Sequence, residues 1–485
     1  MDVRAITPAY PGQPLRELLA VPLPCGGRRH CGNCGVLVRG EVSTASPGEA
    51  ELLKKYGRPP AGFIWRLACF CDVNDPIEIF LPEENAPATA QAQGDLPDYD
   101  GEQPGSYGLA IDIGTTTVTL AAYRFPGKEP TAVVSEMNRQ SAYGADVISR
   151  IGGDHRALYG CVRAQLRDML AQTGIAPEKI SRAVVTGNTA MLHFFAGLDP
   201  AGMGRYPFTP ESLFGENLAW DILPKASVYL PPCITAFVGA DITCGALAAG
   251  FLNAEGNVLL VDVGTNGEML MKAGGQLRCC SVAAGPAFEG AEISMGMPAL
   301  PGAINRVWQE DGRLLWHALE GASVRGICGT GLISALRAFL ELGLLDETGA
   351  IAGPDELKLP GCGVALTQRD VRKLQLVKAA VAAGIVTMMD EAGLGEGQIE
   401  RLWLAGGFGS YLAPGDAAAI GMIPAGLAAR AKAGGNLALR GAEMLLFSKN
   451  LREEAKKLAS ETSEIHLANH RVFQDAFIDE MGFPE

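Results

Sequence analysis

Long apolar runs and basic charge are both scarce in this sequence. No stretch approaches the roughly 20 apolar residues needed to cross a bilayer. The opening MDVRAITPAY has no basic segment followed by an apolar one. Membrane insertion and export are therefore not expected, and a cytoplasmic location is. Lysine and arginine number 40 against 54 acidic residues, a net charge of −14. No basic field exists to hold a phosphate backbone, which argues against nucleic acid as a partner. A P-loop of the form G-x-x-x-x-G-K-S/T is missing, as is a Rossmann G-x-G-x-x-G behind a strand with a later acid, so two common nucleotide folds lack support. What the chain does have is length and glycine. Its 485 residues, 48% of them hydrophobic, allow two to four cores of ordinary size. The 61 glycines sit in short clusters beside Asp, Thr and Ser, a pattern suited to backbone wrapped closely around phosphates.

The organisation reads as multi-domain α/β. Residues 1–84 hold five of the twelve cysteines and end in PIEIFLPEE, whose alternating apolar pattern predicts a closing strand. Only about 13 residues precede the helix-like PLRELLA, too few for a full opening hairpin, so the first strand is expected to be short or supplied differently. Residues 85–105, rich in Pro, Ala, Gln, Gly and acid and without periodicity, read as a flexible linker. Beyond it, apolar strand-like runs (YGLAIDIG, NVLLVDVG, RLWLAGGFG) alternate with helical stretches such as 370–392. Two of those runs end in Asp-x-Gly-Thr, which suggests a duplicated fold divided into 106–255 and 256–485.

Twelve cysteines without a secretion signal point to metal or redox chemistry before disulfides. Cys25, Cys31, Cys34 and Cys69 have the spacing C-x5-C-x2-C-x34-C. This closely resembles the plant-type 2Fe-2S spacing, in which four thiolates converge on two irons and glycine-rich backbone supplies N–H groups to the sulfurs. A structural zinc site is the competing reading, but such sites usually pair two short C-x2-C knuckles, and the second is missing here. Cys71, two residues past Cys69 on the same strand face, is an alternative fourth ligand.

In AIDIGTTTVTLAAY a strand runs into Asp112, Gly114, Thr115, Thr116 and Thr117, and VLLVDVGTNGEMLM repeats the arrangement with Asp262, Gly264, Thr265, Asn266, Gly267 and Glu268. Hydroxyls and glycine N–H groups can bond phosphates, and the aspartates can hold a hydrated Mg2+. A third glycine cluster, Gly406, Gly407 and Gly409, follows in RLWLAGGFGSYL. In order, the three resemble the phosphate-1, phosphate-2 and adenosine motifs of the actin-like (ASKHA) ATPases. That resemblance implies two ribonuclease-H-like subdomains with ATP in the cleft between them. Asp241 is either an orienter of metal-bound water or a helix-capping residue. His193, in the apolar MLHFF, reads as a core histidine, and Cys244, Cys279, Cys280 and Cys328 as buried small hydrophobes.

Taken together, CGGRRHCGNC, RLAC, AIDIGTTT, VDVGTNGE, AAGPAFEGAEISMGM and AGGFG resemble the reductive activators of corrinoid proteins over nearly the whole chain. The resemblance implies an N-terminal β-grasp 2Fe-2S ferredoxin-like domain fused to an ASKHA ATPase. It implies delivery of one electron, with ATP hydrolysis, to the Co(II) of a corrinoid protein in a methyltransferase system, restoring Co(I). An upstream reductant is then required, and a homodimer is compatible. Asp112 and Asp262 would position magnesium and water, Thr115, Thr116, Thr265 and Asn266 would contact phosphate, Gly406 and Gly407 would admit adenosine, and Glu268 would position the attacking water. Longer members carry a middle domain before the ATPase. Only about 20 residues separate PEE from the first ATPase strand here, so that domain is expected to be reduced or absent. The rival functions are a ferredoxin-type carrier with a nucleotide-sensing domain and an ATP-driven donor to another low-potential enzyme.

Overall fold

The computed structural model describes the chain apart from residues 1–2, 10–13, 16–28, 30–31, 33, 55, 57, 74–76, 83–94, 102, 145, 321–322, 354, 407–411 and 485, and describes residues 3–9 and 80–82 as backbone. In chain order, strands β1 (Val3–Ala9), β2 (Gly35–Arg39), β3 (Ile64–Leu67) and β4 (Ile77–Pro82) form a four-stranded sheet of order β1-β4-β2-β3. The opening of the chain is a single strand paired antiparallel to β4, with a register shift between Ala5 and Pro8, so no hairpin is needed. Most of the helix-like PLRELLA lies outside the described residues.

This small sheet is fastened by a buried ion pair. Arg66 on β3 donates from Nε to Glu49 Oε1 at 2.8 Å and from Nη2 to Glu49 Oε2 at 2.9 Å, while the Leu67 N–H adds a bond to Oε1 at 2.9 Å. Both side chains are almost fully buried, 3% and 1% exposed. Removing one partner strands a charge, so Glu49→Ala is expected to destabilise this sheet by about 3–5 kcal/mol, read from urea unfolding.

The next strands, β5 (Tyr107–Ile113), β6 (Thr117–Arg124), β7 (Pro130–Met137), β8 (Ile180–Gly187), β9 (Glu216–Leu218) and β10 (Ser227–Leu230), form a sheet of order β7-β6-β5-β8-β10-β9. A second six-stranded sheet uses β11 (Asn257–Val263), β12 (Gly267–Ala273) and β13 (Gln276–Val282). Beyond β14 (Ala303–Glu310), β15 (Arg313–Ala318), β16 (Gly326–Ile327), β17 (Glu356–Lys358) and β18 (Ala365–Thr367), which build two smaller sheets, it is completed by β19 (Ile399–Ala405), β20 (Ala431–Gly435) and β21 (Thr462–Glu464). Its order is β20-β19-β11-β12-β13-β21.

The two large sheets share a plan. In each, a central apolar strand (β5 or β11) pairs antiparallel with the strand that follows it (β6 or β12) and parallel with a later one (β8 or β19). Buried on both faces, such strands read as near-continuous hydrophobic runs, as YGLAIDI and NVLLVDV do. The helix expected at 370–392 spans Gln368–Glu391, and Thr367 with Asp370 forms a capping box at its start.

Helices Ala240–Ala248 and Leu437–Phe447 press together between the sheets. A Cβ at Gly441 would run into the Cys244 carbonyl oxygen, so only glycine permits this approach. Tyr123 of β6 donates to Glu443 Oε1 at 2.6 Å, tying the first sheet to the second of these helices. Within the stretch expected as linker, Leu96 is buried, Tyr99 stacks on Phe125 at 4.0 Å and Asp100 pairs with Arg182 at 2.8 Å. Those contacts hold residues 95–101 against the first sheet. Among the described residues no helix is long and apolar enough to cross a membrane.

Candidate functional site

The two Asp-x-Gly-Thr segments, one at the end of β5 and the other at the end of β11, line a single cleft. Each closes a tight turn, the first one residue longer than the second: the Gly114 N–H bonds the Thr117 carbonyl at 2.9 Å, and the Gly264 N–H bonds the Asn266 carbonyl at 2.9 Å. Between them lies a cleft with about 1340 Å³ of empty space, part of it open to solvent. Asp112, Gly114, Thr115, Thr116, Thr117, Asp262, Gly264, Thr265, Asn266, Glu268 and Gly406 all line it. Gly267 does not. It sits in β12, where a Cβ would meet Val282 Cγ2 at 2.7 Å, so its described role is close approach within the sheet. Gly407 and Gly409 lie outside the described residues.

Gly406 has φ +94°, and a Cβ there would lie 2.5 Å from both Asp262 Oδ1 and the Val263 carbonyl oxygen. Gly406→Ala is expected to cost about 1–3 kcal/mol in stability through the strained backbone and to narrow the cleft. Thermal melting and nucleotide titration read the two effects separately.

Three asparagines set the loops. Asn138 donates to the Gly114 carbonyl at 2.7 Å, Asn188 to Thr115 Oγ1 at 3.2 Å, and Asn436 to Asp112 Oδ2 at 2.8 Å while capping helix Leu437–Phe447. The fully buried Arg150 donates from Nη2 to the Thr115 carbonyl at 2.8 Å and from Nε to the Gly144 carbonyl at 2.9 Å. Glu289 spans the cleft: its Oε2 accepts from Thr116 Oγ1 at 2.9 Å and from Thr265 Oγ1 at 2.6 Å. On sequence alone the segments bearing Asn138, Asn188 and Glu289 read as turns or helix entries with no chemistry of their own. For Asn188 and Glu289 the signal that could have found them is a polar residue next to glycine, after Gly187 and before Gly290; Asn138 carries no such mark.

Carboxyl groups crowd the base of the cleft, and burial disfavours their ionised forms. Desolvation pushes Asp112 up to about 6, with Asn436 opposing, and pushes Asp241 up to about 7, helped by the charge of Asp112. Asp262 and Glu268 are raised well above the carboxylate range, first by desolvation and then by the neighbouring carboxylates. Glu289 is also raised by desolvation, against the pull of Thr265, Thr116 and Arg150. Asp241 lies in the first turn of helix Ala240–Ala248, where Gly239 is the capping residue, and it lines the cleft.

For Asp112 and Asp241 the native state keeps a proton at pH values where the unfolded chain has lost it. Their contribution to stability is therefore fully present at acid pH and lost as pH rises through about 6 and about 7 respectively. The nucleotide- and metal-free protein is expected to gain stability from these groups as pH falls from about 8 toward the unfolded value of 3.8, by about 1.4 kcal/mol in all for each tenfold gain in proton affinity on folding. Melting curves across that range, compared with Asp241→Asn, check the sign.

Elsewhere, His193 is fully buried, with Nδ1 2.7 Å from the Thr189 carbonyl oxygen and Nε2 accepting the Ser212 N–H at 3.3 Å, a satisfied core histidine. Cys244, Cys279, Cys280 and Cys328 are buried too, and Cys328 lies at the cleft wall. In the N-terminal sheet Cys34 and Cys69 are both buried, and their sulfurs face one another at 3.3 Å. The Tyr56 hydroxyl clamps the segment around Cys34: it accepts the Gly35 N–H at 2.9 Å and donates to the Gly32 carbonyl at 2.8 Å. Cys71 is buried beside Asp72, and desolvation raises its thiol to about 11, with Arg66 opposing. Cys25 and Cys31 lie outside the described residues.

Comparison with known proteins places this geometry in a family. The model of the C-terminal ASKHA domain of RACo matches residues 256–485, and the model of the RACo middle region matches residues 107–254. The second match falls on the segment expected as the first half of the ATPase. It is the part built on β5–β10, which carries its own central strand and Asp-x-Gly-Thr loop and therefore reads as ATPase. The chain is 30% identical over 79% of its length, and 71% of the relative's, to the corrinoid activation enzyme RamQ of Eubacterium limosum. It is 27% identical over 78% of its length, and 77% of the relative's, to a Co(II) methylated amine-specific corrinoid protein reductase of Methanosarcina barkeri. Among solved structures, a reductive activator for corrinoid, iron-sulfur protein aligns over 98% of this chain and 96% of its own with a TM-score of 0.72 at 26% identity. On the identity, the coverage and the two matched domain models, this chain belongs to the reductive activators of corrinoid proteins.

Proposed function

We propose that this protein is an ATP-dependent enzyme that returns a corrinoid protein from Co(II) to Co(I) by transfer of one electron, the corrinoid being carried by the partner of a methyltransferase system. The reading rests above all on one observation: two Gly-Thr turns, each following an aspartate at the end of a central strand, line one cleft in a chain that also holds a pair of facing buried thiols. In this reading residues 1–84 form the β-grasp 2Fe-2S module, 85–105 the linker, and 106–255 and 256–485 the two ribonuclease-H-like halves of the ATPase.

The residues fit both groups. Cys34 and Cys69, 3.3 Å apart and shielded from water, suit two ligands of one iron, and Cys25 and Cys31 complete the set of four. A 2Fe-2S group held there would supply a one-electron couple, near −400 mV for the plant type. Asp112, Asp241 and Asp262 crowd one desolvated site that disfavours their ionised forms, and a hydrated Mg2+ would supply the positive charge that lets them ionise. Mg2+ keeps several of its waters when bound, so these carboxylates would contact it through water.

Thr115, Thr116, Thr265 and Asn266 offer hydrogen bonds to phosphate oxygens from both halves, so a bound triphosphate would draw the halves together. Gly406 and Gly407 are assigned to adenosine, and Glu268 takes the role of orienting the attacking water. Pushing one electron uphill by about 100 mV costs about 2.3 kcal/mol. A change of cleft closure can meet that demand if it alters affinity for one oxidation state of the partner. Phosphate release by the reduced protein should rise when a Co(II) corrinoid protein is added. A rate indifferent to the partner would instead favour a carrier with a nucleotide-sensing domain.

A further inference from the structure

We propose that Glu289 is an internal competitor for the phosphate-binding donors of the cleft: its carboxylate takes the hydroxyls of Thr116 and Thr265, and a nucleotide phosphate must displace it to bind. The proposal rests on the ATP reading of the cleft and deepens it.

A single oxygen, Oε2, accepts one hydroxyl from each half of the cleft, at 2.9 Å and 2.6 Å. That is what a bridging phosphate oxygen would do between the same two loops. The donors belong to the equivalent turns after β5 and β11, so the bond joins the halves without any ligand. Glu289 is delivered by the short turn Pro286–Glu289, which ends at Gly290 with φ +80°. A Cβ at Gly290 would stand 2.5 Å from the Met297 backbone nitrogen, so the turn is seated tightly against the following segment. The base of the competitor is thus fixed while its carboxylate reaches into the cleft.

Arg150 faces the same place from below, bonded to the carbonyl of Thr115 and attracted by Glu289. A phosphate arriving at these hydroxyls finds a carboxylate already on them, and the two like charges cannot share the donors. Displacement frees Glu289; departure of phosphate after hydrolysis lets it recapture both hydroxyls and so disfavours rebinding. No bond is made or broken in this exchange beyond hydrogen bonds.

A purely structural strut makes a different forecast, and Glu289→Gln separates the two. Glutamine keeps an amide oxygen able to accept both hydroxyls but carries no charge. We expect E289Q to bind a fluorescent ATP analogue roughly tenfold more tightly than the wild type, equivalent to about 1.4 kcal/mol, with KM for ATP and kcat both lowered as phosphate leaves more slowly. Glu289→Ala, which removes the competitor altogether, should also bind more tightly, and circular dichroism confirms that each variant is folded. Unchanged affinity in E289Q would reduce Glu289 to a strut, and weaker affinity would make it a nucleotide or metal contact; either result, with normal binding by the wild type, overturns the proposal and leaves the ATP reading standing. Absence of binding by the wild type and both variants would overturn the ATP reading and this proposal with it.

Discussion

Cys34→Ser and Cys69→Ser should each abolish electron delivery to the corrinoid partner while leaving nucleotide binding intact. The two sulfurs lie 3.3 Å apart in a buried pocket of the N-terminal sheet, whereas the cleft residues are drawn from β5, β11 and the loops that follow them. Loss of an outer-shell partner at a metal typically lowers affinity or activity about 10–100-fold, so loss of a direct ligand is expected to exceed about a hundredfold. Visible and electron paramagnetic resonance spectra of the reduced protein would record the loss of the cluster, and titration with a fluorescent ATP analogue would record what remains. Cys71→Ser is the matching control. The sulfur facing Cys34 is that of Cys69, at 3.3 Å, whereas Cys71 Sγ contacts the Asp72 carbonyl at 3.9 Å, so replacement of Cys71 should leave the spectrum in place. A cluster lost on replacing Cys71 and kept on replacing Cys69 would reassign the fourth ligand.

Asp262→Asn should lower ATP hydrolysis by about 10²–10³-fold, the usual loss when one preorganised group of an active site is removed, and should at the same time raise the melting temperature of the ligand-free protein. Both effects have one cause. Asp262 is held in a desolvated site beside Asp241, Asp112 and Glu289, each of which disfavours its charge. Asparagine removes the cost of holding this group protonated in the empty protein while the unfolded chain ionises, and it cannot supply the charge that a hydrated cation would need. Stability stored against function in this way is common at active sites. A variant that lost activity and stability together would point instead to a structural role for the side chain.

The two phosphate turns are legible in the sequence because everything they need is local: an apolar strand, an aspartate, a glycine and hydroxyls within a few residues. The long helix near residue 370 is legible for the same reason, with Thr367 and Asp370 marking its start. Glu289 is not, since its partners Thr116 and Thr265 lie 173 and 24 residues away and only the fold brings them together. Arg150 and Asn436 escape in the same way, one buried beneath a loop and the other acting as a helix cap whose amide also reaches Asp112. Strand β21, three residues near the C-terminus, has no pattern of its own and exists because β13 offers an edge for parallel pairing. The middle region is a subtler case. Its strand and turn read as nucleotide-site elements, and that reading hides the fact that they constitute the middle region itself.

Central to the account is the claim that ATP in the cleft drives an electron from the N-terminal module to cobalt. The most direct test is the visible spectrum of a Co(II) corrinoid protein mixed anaerobically with the reduced protein, recorded with ATP, without it and with a non-hydrolysable analogue. The account predicts Co(I) with ATP and little without it; equal Co(I) in all three, or none in any while the cluster is oxidised, would contradict it.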